Sequence, residues 1–192
     1  MTQVFDEKGV VCAATIINAG PLTVTQVKTP EKDGYAAVQV GFGTQKESRI
    51  NKAQTGKPFR FLREFKNDPP AGEGDTVEVS SFTPGDIVTV SAVSKGKGFQ
   101  GVVKRHRFAG GPRSHGQKNK ERAPGSLSGA GRSGGRVVKN MRMAGRMGGD
   151  RITVKNLRVL QVDETSNTLL ISGAVPGRPG TLVEIRGIGT NA

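Results

Sequence analysis

Cysteine occurs once in this sequence, histidine twice, and acidic residues only twice between Lys95 and Arg151. With Cys12 as the only thiol, no intramolecular disulfide can form. Cys12 lies in an apolar run, residues 10–17, and is expected to be a small buried side chain. Cys12, His106 and His115 are too few and too widely spaced to make the ligand set of a metal site. No run approaches the ~18 apolar residues of a membrane span. The opening MTQVFDEKG has neither the apolar core of a signal peptide nor the arginines of a transit peptide. Ser114 and His115 adjoin each other but lack a third member with any support, and the acids are scattered, so no catalytic constellation forms. No catalytic residue, cofactor, metal, membrane or small-molecule substrate is expected.

What the chain has is charge of one sign in one place. Residues 95–151 hold 15 basic residues against two acids, Glu121 and Asp150, and 14 of the 28 glycines. That excess equals the +13 net charge of all 192 residues, so the remainder is neutral. A solubilising surface mixes both signs; this stretch does not, and it calls for a polyanion, nucleic acid first. A membrane surface fits less well, because the stretch lacks the helical period and aromatics of interfacial helices. The candidate RNA-binding residues are Lys95, Lys97, Lys104, Arg105, His106, Arg107, Arg113, His115, Lys118, Lys120, Arg122, Arg132, Arg136, Lys139, Arg142, Arg146 and Arg151.

The flanks read as short strands. Residues 10–17 are apolar and β-branched, 22–28 alternate apolar with polar, and 35–42, 76–80, 87–93, 152–162, 168–175 and 181–186 follow the same habits. Thr83-Pro84-Gly85-Asp86 fits a type II turn. Residues 45–67 form a polar crossover, in which residues 58–65 suggest one or two helical turns with Phe61, Leu62 and Phe65 anchoring it to the core. Many short strands and hardly any helix predict a mainly β fold, a small closed β-barrel. Residues 1–94 and 152–192 make the barrel, and residues 95–151 are a long irregular loop inserted between its strands.

Glycine and arginine together suit close approach to phosphates. Arginine forks two hydrogen bonds onto one phosphate, and glycine lets the backbone come near. Too little apolar surface is present for this stretch to fold alone. It lacks a recognition-helix period and zinc-finger spacing, so folded RNA with irregular crevices fits better than duplex DNA. Residues 96–101 match GxGxxG, but a dinucleotide site needs a following helix, and Val102-Val103-Lys104-Arg105 reads as strand. Residues 111–117 approach a phosphate loop but place Gln117 where lysine is required. Met141, Met143 and Met147 are expected to pack where the loop returns to the barrel. A free nucleic-acid-binding module would show this same charge layout.

The runs KGKGFQGVVKRHRF, GPRSHG, APGS, MAGRMGGDRITVKNL and LLISGAVPG, with MTQVFDEKG, AGPLTVTQVKT and DGYAAVQVGFG before them, resemble the bacterial-type L-three family of large-subunit ribosomal proteins. The resemblance covers nearly the whole chain. It implies a barrel of the kind shared with translation factors, a loop running through large-subunit ribosomal RNA toward the peptidyl-transferase centre, an early role in assembly, and no enzymatic activity. It implies ribosomal RNA and neighbouring ribosomal proteins as partners, in a cytoplasmic ribosome; an organellar one fits the same residues. Lys95, Lys97, Lys104, Arg105, His106, His115, Arg142 and Arg146 would contact RNA along the two arms, with the tip near residues 125–136. Two departures stand out. The family has a short strand containing Gly and Lys before the Met-Thr-Gln at which this chain starts. The tip, residues 128–135, holds no glutamine, so the methylation of a tip glutamine found in some bacterial members is not expected here.

Overall fold

Leu22–Lys28 and Ile87–Val93 are strands over the very residues that the sequence predicts, the first from its alternation of apolar and polar side chains. The computed structural model describes residues 1–5, 9–66, 72–127 and 134–187. In chain order these form β1 (Thr2–Phe5), β2 (Val11–Asn18), β3 (Leu22–Lys28), α1 (Pro30–Asp33), β4 (Ala37–Thr44), β5 (Phe59–Phe65), β6 (Thr76–Val77), β7 (Ile87–Val93), β8 (Gly98–Gln100), α2 (Val102–His106), β9 (Gly145–Met147), β10 (Arg151–Asp163), β11 (Thr168–Ser172) and β12 (Val183–Gly187). The two described α-helices are single short turns, three-residue 3-10 turns lie at Glu47–Arg49, Lys52–Gln54 and Val79–Ser81, and the fold is mainly β. One sheet has the order β1-β2-β11-β10-β7-β12, a second β5-β4-β3-β6, and β8 pairs with β9 alone.

The chain divides into two compact units. The first holds Met1–Thr89, Lys155–Val175 and the chain from Ile185; the second holds Val90–Val154 and Pro176–Glu184. In the first unit Val88, Val159, Leu169 and Ile171 are buried, all of them β-branched or leucine on paired strands. Val24, Val38 and Val40 form a further cluster there, with Leu22, Val27 and Phe65 packed against it. The Thr83–Asp86 turn takes the predicted form: Gly85 has φ +98°, and the Asp86 N–H donates to the Thr83 carbonyl at 3.2 Å. It is tied to β10, because Gly85 N donates to Val159 O at 2.8 Å and Val159 N to Asp86 O at 2.9 Å.

Two expectations need correcting here. Residues 58–65 are not helical; β5 pairs antiparallel with β4, from Thr44↔Phe59 to Val38↔Phe65. Phe59, Phe61, Leu62 and Phe65 are half-buried and Arg60, Arg63 and Glu64 exposed, and it is the cross-strand pairing with β4 that overrides the short helical period. Phe65 still anchors the segment to the core, from a strand rather than a helix. Cys12 is half-buried, not buried. It sits opposite Val4 of β1, the last strand in the order of its sheet among the described residues.

The charges of this unit are compensated in place. Lys28 Nζ lies 2.8 Å from Glu64 and donates to the Tyr35 hydroxyl at 2.7 Å, which in turn donates to Glu64 at 2.9 Å. The hydrogen bonds from Lys28 and then Tyr35 hold the Glu64 carboxyl below its ordinary range, and those to Glu64 and Tyr35 push Lys28 up.

Candidate nucleic-acid interface

The second unit carries the basic stretch. Its outgoing and returning chains are joined at their base by backbone hydrogen bonds: Ser94 N donates to Asp150 O at 2.9 Å, Gly149 N to Ser94 O at 3.2 Å, and Lys97 N to Met147 O at 2.9 Å. Next comes the β8–β9 ribbon, with Gly98 opposite Met147, Phe99 opposite Arg146 and Gln100 opposite Gly145. After Gly101 the chain turns into α2, which buries Val102 and ends at Arg107 in the left-handed region, φ +60°.

This helix overturns the strand expected at residues 102–105. It does not make a dinucleotide site. The glycine motif contains β8 rather than following it, β8 pairs antiparallel with β9, and a five-residue helix does not provide the long helix of a βαβ unit. What α2 does is aim two side chains at one acceptor. Arg105 Nη1 donates to Met143 O at 2.8 Å, and His106 Nε2 donates to the same oxygen at 3.1 Å. A carbonyl only accepts, so His106 must carry its proton on Nε2. The guanidinium reaches this oxygen across Gly145, where an added Cβ would lie 2.6 Å from Arg105 Nη1.

Arg105 and His106 are thus half-buried struts between the two chains. Every other described lysine and arginine of residues 95–151 is exposed, and so is His115. Farther out, Gly111 N donates to Glu121 O at 2.7 Å, and Arg113 pairs with Glu121 at 2.7 Å. Arg151 pairs with Glu184. Two acids in the stretch leave its charge excess uncompensated from within. Met143 and Met147 are half-buried, whereas Met141 is exposed and does not pack as expected. Arg132 and residues 128–133 of the expected tip lie outside the described residues. Among the described residues no three His, Cys, Asp or Glu side chains come together as a metal site would need.

Sequence reasoning missed the Met143 carbonyl and Gly145 as the joint of the two chains. The only signal was a glycine 40 residues downstream of Arg105, and it has meaning only once the β8–β9 register is known. Replacing Arg105 by Gln, or Gly145 by Ala, is expected to speed amide hydrogen exchange in β8 and β9 about tenfold, because a charged hydrogen bond of about 1.5 kcal/mol is lost or displaced. Unchanged exchange in both variants would show that the strut does not hold the ribbon.

Residues 45–174 match the family model of ribosomal protein L3. The chain belongs to the ribosomal protein L3 family. It is 51% identical to the large ribosomal subunit protein uL3 of Acidothermus cellulolyticus over 97% of this chain and 87% of that protein. It is 49% identical to the protein of the same name from Herpetosiphon aurantiacus and 48% to that from Nostoc punctiforme, in each case over 96% of this chain and 91% of the other. These relatives are bacterial, and the L3 family is a structural component without enzymatic activity. The GxGxxG run and the Ser114–His115 pair therefore belong to a ribosomal protein and not to an enzyme.

Proposed function

We propose that this chain is a structural constituent of the large ribosomal subunit, that it binds the subunit's RNA directly through residues 95–151, and that it acts early in subunit assembly. The observation that carries this reading is the concentration of exposed cations on a stretch whose two chains are pinned at their base. Lys95, Lys97, Lys104, Arg107, Arg113, Lys118, Lys120, Arg122, Arg132, Arg136, Lys139, Arg142, Arg146 and Arg151 neutralise phosphates, and His115 joins them. Arg105 and His106 hold the arm in shape and reach RNA from that position. The arm passes between RNA helices with its tip toward the peptidyl-transferase centre.

Residues 1–94 and 152–192 are the body, a closed barrel of the translation-protein kind that meets RNA and neighbouring ribosomal proteins in the cytoplasmic ribosome. Closure is supported by register shifts in β3, between Val24 and Gln26, and in β10, between Val159 and Gln161. Such bulges bend strands and raise their twist, which closing a small barrel requires.

Sedimentation of cell extract in high salt tests the assignment. An arm threaded between RNA helices leaves only when the RNA opens, so the chain is expected to remain with the large subunit. Release into the free fraction, or sedimentation with bulk nucleic acid, would instead mark a module that works outside the ribosome.

A further inference from the structure

Phe99 is 76% exposed, the most exposed aromatic side chain among the described residues. A phenylalanine in a strand is ordinarily placed to bury its ring, and the short ribbon that carries this one supplies no cover. It sits in the centre of β8, directly opposite Arg146. The three glycines of its motif, Gly96, Gly98 and Gly101, carry no side chain that could cover it, and a Cβ at any of them would meet nothing within 4 Å. Among the described residues no ring and no cation stacks on Phe99. The Arg146 guanidinium instead lies against Gly149, where an added Cβ would be 3.1 Å from Nη2. Phe99 thus offers an unobstructed aromatic face.

The chain that carries Phe99, and the residue opposite it, are cationic. Lys95, Lys97, Lys104, Arg107, Arg142 and Arg146 are all exposed, and residues 95–107 contain no acid. An apolar contact on a neighbouring protein would be a poor fit to a lone ring in a segment of chain that carries only positive charge. A nucleobase fits both features: its π-face stacks on phenylalanine, and the phosphates on either side of it meet the lysines and arginines. We infer that Phe99 is a stacking platform for one unpaired base of the RNA, with the exposed cations of the ribbon taking the flanking phosphates. The arm then does more than neutralise charge. It has a fixed point of register at its base, set by the same ribbon that Arg105 and His106 brace. This inference rests on the RNA-binding reading above.

The test is titration of the full-length chain and three variants, Phe99→Ala, Phe99→Leu and Phe99→Tyr, against a transcript of its own organism's large-subunit RNA, at several salt concentrations. Loss of a stacked base weakens binding about 5- to 150-fold. Phe99→Ala and Phe99→Leu are expected to fall in that range, while Phe99→Tyr stays within about twofold, because tyrosine keeps the aromatic face. The slope of affinity with salt is expected to be the same in all four proteins, since no phosphate contact has been removed. Thermal unfolding of the variants checks that the exposed position leaves the fold intact. If the wild-type chain binds and Phe99→Ala binds equally well, the platform is wrong while RNA binding stands; this is also the outcome if the ring serves a neighbouring protein. Equal weakening in Leu and Tyr would likewise overturn stacking. A wild-type chain that fails to bind the RNA at all overturns the functional reading and this inference with it.

Discussion

Affinity of this chain for its large-subunit RNA is expected to fall about 10³- to 10⁵-fold between 50 and 200 mM monovalent salt. The expectation follows from the distribution of charge rather than its total. A chain with 29 basic and 16 acidic residues spread evenly would present mixed surfaces, and its interactions with a polyanion would partly cancel. Here the body compensates itself, as in the contact of Lys28 with Glu64, whereas residues 95–151 have two acids for 15 bases. Ion pairs such as Arg113–Glu121 and Arg151–Glu184 take up only part of this excess, and the stretch has two acids with which to form more, so most of its cations release counterions from RNA. If 6 to 10 phosphates are neutralised, the logarithmic slope lies at roughly −5 to −9 with the duplex coefficient. Filter binding or fluorescence anisotropy at five salt concentrations measures it. A response close to flat would mean that affinity comes from elsewhere, and the electrostatic account would fail.

The parts of the fold that were readable in the sequence are those set by local pattern. Strand alternation located β3, a further strand pattern located β7, and proline followed by glycine located the turn at Thr83–Asp86. Charge counting located the basic stretch, because charge is a property of composition and needs no geometry. The errors fell where a nonlocal partner decides the outcome. Residues 59–65 carry apolar side chains compatible with either a helical turn or a strand, and pairing with β4 settles it. Residues 102–105 look like strand because two valines begin them, yet Val102 is buried and Arg105 reaches the Met143 carbonyl only from a helical turn. The same limit applied within the candidate site. Composition treats Arg105 as one cation among 15, and only the register of β8 against β9 separates a brace from a phosphate contact.

Replacement of residues 114–140 by a short Gly-Ser linker is expected to leave a folded protein that no longer assembles into the large subunit. The described bonds that join the two chains of the arm lie outside this segment: Ser94 with Asp150, β8 with β9, and Arg105 and His106 with Met143. None of the buried apolar side chains of the described core falls between Val102 and Val159. The deletion leaves Arg113 without Glu121, but a pair this exposed contributes at most about 1 kcal/mol. Stability is therefore expected to change little, which far-ultraviolet circular dichroism and a thermal melt would register as an unchanged strand signal and a midpoint shift of only a few degrees. Binding should respond very differently. Lys118, Lys120, Arg122, Arg132, Arg136 and Lys139 leave together, and the logarithmic salt slope should shrink by up to about 4 to 5 as their phosphate contacts are lost. Because the reach of the arm disappears as well, the truncated chain should be absent from large subunits on a sucrose gradient even at low salt, where the cations left at the base still attract RNA. If the truncated chain unfolds instead, the arm is part of the core and the division between body and arm is wrong. If it folds and assembles normally, threading of the arm is not what holds the protein in the subunit.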